Sequence, residues 1–295
     1  MTIAACYVST EGVVLGADST STMLVGEKRE LRHFNFAQKV FEFGDRGSTV
    51  GAVIWGLGSP GKKSWRTLIA EAAEEAYEQQ LSTYIEPARL TSRKFWDDYS
   101  STFHENILKS KELRAKGEAA TKEEKELLSN LVQKLSGGLC LGGRWGKSRE
   151  SRAAAIHFNP FLDDAPEPRP LDVGVSYFWG CPNMIRRLIV GIDGQLAAAI
   201  LNSGKWNGTE QELLDLIRKF VLTPPRDLPL REAVDWMHAS IFTTIKAMKF
   251  SLLAPVCGGP IEIAVISSDR PFRWICHKEM GEAIDTGRIR KDRSV

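Results

Sequence analysis

At 295 residues the chain is long enough to bury one large core or two modest ones, and 43% hydrophobic with 26% charged residues is ordinary for a globular protein. With 39 Lys and Arg against 37 Asp and Glu, the net charge of +2 argues against a polyanion-binding protein and against a nucleic-acid partner. Five scattered cysteines (Cys6, Cys140, Cys181, Cys257, Cys276) form no CxxC and meet no histidine pair at ligand spacing, so they read as reduced, mostly buried thiols.

The first nineteen residues lack a basic leader, and Glu11 interrupts their apolar stretch, unlike a signal peptide. No apolar run approaches the ~20 residues that cross a bilayer, so the expectation is a soluble, cytoplasmic protein with no membrane contact. Ile3–Val8 and Val13–Asp18 read as two strands joined by the turn Ser9-Thr10-Glu11-Gly12, a hairpin. Val40–Phe43 and Val50–Trp55 read as further strands around the polar turn Asp45-Arg46-Gly47-Ser48.

Ser59-Pro60 is expected to open a helix, serine as N-cap and proline in the first turn, with Leu68, Ile69, Ala72, Ala73 and Ala76 at helical spacing over Trp65–Gln79. Helical stretches follow at about Ser92 to Lys116 and Glu118 to Gln133, the latter a solvated face dense in Lys and Glu. Leu139–Gly143 and Ala153–Phe158 read as a hairpin, followed by a proline-rich loop from Asp163 to Pro170 and a strand over Val173–Trp179. Next come a helix at about Asn183 to Val190 and another over Leu230–Lys249, with one apolar stripe of Val234, Met237, Ile241, Ile245 and Met248. Strands Ile261–Ile266 and Phe272–Cys276 and a charged tail close the chain. The order predicts two antiparallel sheets with helices on their outer faces, without an internal repeat or linker.

Gly56-Leu57-Gly58-Ser59-Pro60-Gly61-Lys62-Lys63 spells two phosphate-loop patterns between a strand and a helix. Lys63 stands where a Mg²⁺-binding hydroxyl is needed, and Pro60 removes one of the cradling N–H donors. The acid that a dinucleotide fold needs about twenty residues on is missing, because the chain there is still helical. Nucleotide binding is therefore disfavoured, and no cofactor or metal is expected.

Thr2 offers a different chemistry. A small residue at position 2 allows removal of Met1, and the freed α-amine, with a pKa of roughly 7.7–8.0, is partly neutral near pH 7. A terminal threonine then carries nucleophile and base on one residue. By itself it could equally start a strand. The surrounding residues add to it: Thr2-Ile3, then Gly12-Val13-Val14-Leu15-Gly16-Ala17-Asp18-Ser19-Thr20-Ser21-Thr22, then Gln38-Lys39-Val40-Phe41, then Gly58-Ser59. In this order and approximate spacing the chain resembles the proteasome β-subunit family, including its bacterial peptidase relative HslV. The resemblance extends more loosely to Leu141-Gly142-Gly143, Phe178–Pro182 and Gly258–Ile266, together roughly half of the chain. Residues 85–136, 160–172 and 200–228 are additional to the usual subunit.

The resemblance implies an α+β fold, the four-layer αββα sandwich of N-terminal-nucleophile (Ntn) hydrolases, as one domain over 1–295 with a helical insertion at about 85–136. It implies a threonine-type peptidase in which Thr2 attacks the peptide carbonyl. Lys39 lies beneath it, favouring the alkoxide-like state and an unprotonated amine, and Asp18 holds Lys39. The Gly58 N–H receives the oxyanion, Ser21 and Thr22 hold the substrate as an added strand, and Gly56 lies near the pocket for the residue before the scissile bond. Gly180, Cys257 and Gly258 belong to the supporting turns. There the family pattern is broken: Trp179 replaces a serine, Ala254 an aspartate and Cys257 a serine. The implied partners are a peptide or unfolded-protein substrate and copies of the same chain in a ring-like or related homo-oligomer, with an ATPase partner left open. A non-proteolytic Ntn amidase on a small amide, or a catalytically silent structural subunit, are the alternatives.

Overall fold

The computed structural model describes residues 2–25, 30–45, 47–81, 83–222, 224–251 and 256–278. The amino-terminal apolar run forms a hairpin, with β1 (Ile3–Val8) antiparallel to β2 (Gly12–Ala17) and Val8 opposite Val13. Ser9 builds its turn, donating through Oγ to the Gly12 carbonyl and accepting the Glu11 and Gly12 N–H groups. Both strands are buried along their whole length, which is why they read as continuous apolar runs rather than alternating ones. A second hairpin, β3 (Ser21–Val25) with β4 (Glu30–Phe34), was not foreseen from the sequence. Polar residues on both strands erase the period-2 signal there. β5 (Val40–Glu42) pairs antiparallel with β6 (Val50–Trp55).

Helix α1 spans Trp65–Glu78, but its N-cap is Ser64, whose side chain accepts the Thr67 N–H. Ser59 does not open it: its hydroxyl donates to the Gly61 and Lys63 carbonyls within a preceding loop. One expected helix from Ser92 to Lys116 is instead two, α2 (Ile85–Thr102) and α3 (His104–Ala115), broken at Phe103. α4 (Lys122–Leu135) starts later than expected, because Thr121 and Glu124 form a capping box at its entrance. There follow β7 (Gly137–Gly143), β8 (Arg152–Phe158), the short β9 (Arg169–Pro170), β10 (Ser176–Gly180) and α5 (Asn183–Val190). α6 (Gly194–Asn202) and α7 (Glu210–Arg218) were not anticipated, although Asp193 caps one and a Thr209–Glu212 capping box opens the other. α8 (Leu230–Phe250), β11 (Glu262–Ser267) and β12 (Arg273–Cys276) complete the described chain.

Two five-stranded sheets result, in the orders β10-β1-β2-β11-β12 and β5-β6-β7-β8-β9, with antiparallel pairing throughout. The fold is α+β. Its apolar side chains fall into three clusters. Met237 and Ile241 of α8 pack on Ile3, Ala5 and Val14 of the first sheet. Cys6 and Leu15 of that sheet meet Val53 and Cys140 of the second. The second sheet's other face, with Ala52 and Leu139, meets Leu68 and Ala72 of α1 and Phe95 of α2. Met237 is fully buried, so Met237→Ala should cost about 2–5 kcal/mol, read as a lower urea midpoint at unchanged slope. Among the described residues no helix is long and apolar enough to cross a membrane.

Candidate active site

Thr2 is delivered by the start of β1. Ile3 pairs with Gly180 at the end of β10, and the backbone there passes so close that a Cβ on Gly180 would fall 1.8 Å from the Thr2 carbonyl oxygen. Gly180 also sits at φ +84°, so a side chain at this position is excluded twice over. Thr2 itself is buried, 5% exposed.

Asp18 follows the last residue of β2, and its backbone N–H donates to the Ile3 carbonyl at 3.1 Å. Its side chain has no exposure and is surrounded by donors. Oδ1 accepts the Ile3 N–H at 3.1 Å and the Lys39 ammonium at 2.6 Å; Oδ2 accepts the Thr20 N–H at 3.2 Å and the Gly258 N–H at 2.8 Å. Three backbone N–H donors and one ammonium thus satisfy both oxygens of this buried carboxylate.

Lys39 precedes β5 and reaches back under the first strands. Its ammonium also donates to the Thr20 carbonyl at 2.6 Å, and its backbone N–H donates to Oε2 of the fully buried Glu262 at 3.3 Å. On the far side of Glu262, Oε1 lies 3.1 Å from both His277 Nδ1 and Lys278 Nζ. Burial pushes the Lys39 pKa below the ordinary lysine range, and the Asp18 charge only partly restores it. The ammonium is therefore lost at a lower pH than in a free lysine. Any hydrolysis that needs it should decline along an alkaline limb beginning below 10.5. A pH profile of kcat/KM checks this, and in an active Lys39→Arg variant the limb should move beyond the accessible range.

Thr2 and Lys39 line a cleft of about 100 Å³. Its other walls include Ser21 and Thr22 at the start of β3, Trp55 and Gly56 at the end of β6, Leu57, Gly58 and the ring of Trp65. Asp18 lies behind Lys39, outside the cleft. Gly56 is held at φ +80° against the Ser136 carbonyl, where a Cβ would come within 2.4 Å. Around Gly58 there is open space. The loop expected to begin a helix at Ser59 thus presents Gly58 to the cleft from a stretch that precedes the helix. A larger cavity, about 680 Å³, lies between the β5–β6 turn and α1 and contains none of these groups.

Cys257 and Gly258 flank the carboxylate. Gly258 supplies one of the Asp18 donors, and its carbonyl accepts the Ser19 N–H at 3.0 Å. Burial and then the Asp18 charge push the Cys257 thiol up to about 12, so it stays protonated at neutral pH. Cys181, assigned no site role from the sequence, is pushed up too, chiefly by burial. Ala254 lies outside the described residues. Trp179 is stacked on Trp55 with centroids 4.4 Å apart and planes 5° from parallel, so it backs the cleft wall. Sequence reasoning also passed over Trp65, Thr20 and Glu262, because their roles arise from contacts that form only in the folded chain. In the segment with the phosphate-loop spelling, Lys63 is paired with Glu71 at 2.7 Å, and α1 opens only at Trp65. Among the described residues no group of three His, Cys, Asp or Glu side chains is placed to hold a metal.

A buried lysine clamped by a carboxylate, lining one cleft with a threonine and an open backbone loop, is an arrangement suited to stabilising negative charge on oxygen. No protein-family profile and no curated protein matches the chain. Among solved structures it is similar to the Anbu (Gly-1) mutant from Hyphomicrobium sp. strain MC1, with TM-score 0.47, 11% identity, and coverage of 100% of this chain and 98% of that one. It is also similar to a chain of the helical assembly of the Anbu complex from Pseudomonas aeruginosa, with TM-score 0.47, 12% identity, and coverage of 98% and 92%. These findings correct the family suggested by the sequence: both of these neighbours are Anbu proteins, where proteasome β subunits or HslV were expected.

Proposed function

We propose that this chain is an Ntn hydrolase of the threonine type that cleaves amide bonds in peptides. Support comes chiefly from the buried Lys39–Asp18 pair at 2.6 Å, whose lysine lines the same cleft as Thr2. With Met1 removed, Thr2 Oγ1 attacks the carbonyl carbon, and the α-amine takes the hydroxyl proton, directly or through water, and passes it to the leaving amine. The acyl ester on Thr2 is then hydrolysed by water, the same amine acting as base. Lys39 stays protonated and offsets the developing negative charge; Asp18 holds it in place. The Gly58 N–H binds the oxyanion, Ser21 and Thr22 pair with the substrate backbone, and Gly56 borders the pocket for the residue before the scissile bond. Gly180, Cys257 and Gly258 shape the turns around the amine and the carboxylate. We read the stacked sheets and flanking helices as the four-layer αββα sandwich of this class, one domain over 1–295 with α2–α4 as an insertion. Copies of the chain assemble into a homo-oligomer.

The cleft's small volume, about 100 Å³, favours a second reading in which the substrate is a small amide rather than a protein. Intact-mass measurement, with and without a hydroxyl-directed electrophile, tests the proposal. A mass lacking Met1 that gains one adduct on Thr2 supports it, whereas retained Met1 or a Thr2 that stays unlabelled overturns it. Fluorogenic peptides set against a panel of small amides separate the two substrate classes.

A further inference from the structure

The Leu57 carbonyl and the Gly58 N–H belong to one peptide unit. A trans peptide is planar, with its C=O and N–H pointing in opposite directions, so whatever holds the carbonyl also aims the N–H. The Leu57 carbonyl is held: the indole Nε1 of Trp65 donates to it at 2.9 Å in a buried hydrogen bond. Trp65 is the first residue of α1, is 4% exposed, and rests against Phe95 of α2 with ring centroids 5.0 Å apart. The rest of the loop is tied to the same helix, because the Lys63 N–H donates to Asp98 Oδ2 at 3.2 Å. Ser59 Oγ closes the loop internally on the Gly61 and Lys63 carbonyls, both at 2.9 Å.

We infer that Trp65 is a positioning residue for the oxyanion step. Its indole N–H locks the Leu57–Gly58 peptide so that the Gly58 N–H is presented to the cleft, and α2 holds Trp65 through Phe95 and the loop through Asp98. The inference rests on the reading of Gly58 as the oxyanion donor. If that peptide rotated, the Leu57 carbonyl would take the place of the N–H, and an acceptor would face the developing oxyanion. The indole bond removes that alternative, since a buried carbonyl gives up its one donor only at a cost. The helices of the additional segment 85–136 thereby act on the reaction without touching substrate.

Trp65→Phe keeps an aromatic ring against Phe95 and removes only the donor. In the Met1-trimmed protein it should lower kcat about 10–100-fold, short of the 10²–10³-fold loss of a whole donor, while KM moves little. A peptide boronate, which forms a tetrahedral anion on Thr2 Oγ1, should bind more weakly in the same proportion; an unreactive peptide of the same sequence should bind as before. Amide exchange at Gly58 should quicken in the variant. Asp98→Ala should give a smaller fall in kcat that Asp98→Asn largely restores, and this pair decides the matter if Trp65→Phe does not fold. Unchanged kcat and boronate affinity in folded Trp65→Phe overturn the inference, as does a fall that Asp98→Asn shares equally with Asp98→Ala. If wild type neither hydrolyses amides nor takes the boronate, the reading of Thr2 fails. Gly58 exchange in Trp65→Phe then still decides whether the indole locks the peptide.

Discussion

Thr2→Ala, with Met1 trimmed as in wild type, should lose amide hydrolysis by at least about 10⁴-fold while keeping its melting temperature. The expected loss is large because, in the proposed mechanism, the threonine hydroxyl is the attacking group. The α-amine remains in the variant, so a base without its nucleophile is what would be measured. Stability should hardly change, since Thr2 contributes one small side chain just before β1. Initial rates on a fluorogenic peptide, together with intact mass to show equal trimming, are the measurement. Hydrolysis by trimmed Thr2→Ala at the wild-type rate would remove Thr2 from the chemistry altogether.

Asp18 and Lys39 should be unequal when removed, although they are partners at 2.6 Å. Asp18→Ala strands a buried ammonium and leaves the Ile3, Thr20 and Gly258 N–H donors without their acceptor. Breaking a buried pair in this way costs about 3–5 kcal/mol, a large part of the 5–15 kcal/mol typical of a folded protein. The melting temperature should drop by on the order of 10 °C. Lys39→Met also removes a charge, but Asp18 keeps three backbone donors, so the loss should be clearly smaller. Both variants should be catalytically dead, because Lys39→Met removes the cation on which the proposed mechanism relies and Asp18→Ala removes the carboxylate that holds it. Paired thermal melts and rate assays check this; a Lys39→Met variant as unstable as Asp18→Ala would show that the backbone donors count for little.

Periodicity and turn chemistry carried much of the fold. The run Ile3–Val8, the Ser9–Gly12 turn and the stripe Met237, Ile241, Met248 on α8 state their structure locally, and the α+β class follows from their order. β3 and β4 were hidden by polar residues on both strands, and α6 and α7 by their shortness, with Leu213 their one buried residue. Ser59 was mistaken for a cap because serine followed by proline suits a helix start, yet five residues later Ser64 makes the capping hydrogen bond to Thr67. The family was misjudged for a related reason: short motifs such as GVVLGAD describe a hairpin and an acid, and many relatives can share these.

What local sequence decides is which segments are strand, turn or helix, because the hydrophobic period and the capping groups act within a few residues of each other. Which segments meet is decided only by packing the two sheets. That step brings Lys39 under β1 and β2 and places Glu262 against the Lys39 backbone across 223 residues of sequence. The physical reason is the cost of burying charge and polar backbone: Asp18 and Lys39 can leave water only where folding has already assembled their partners.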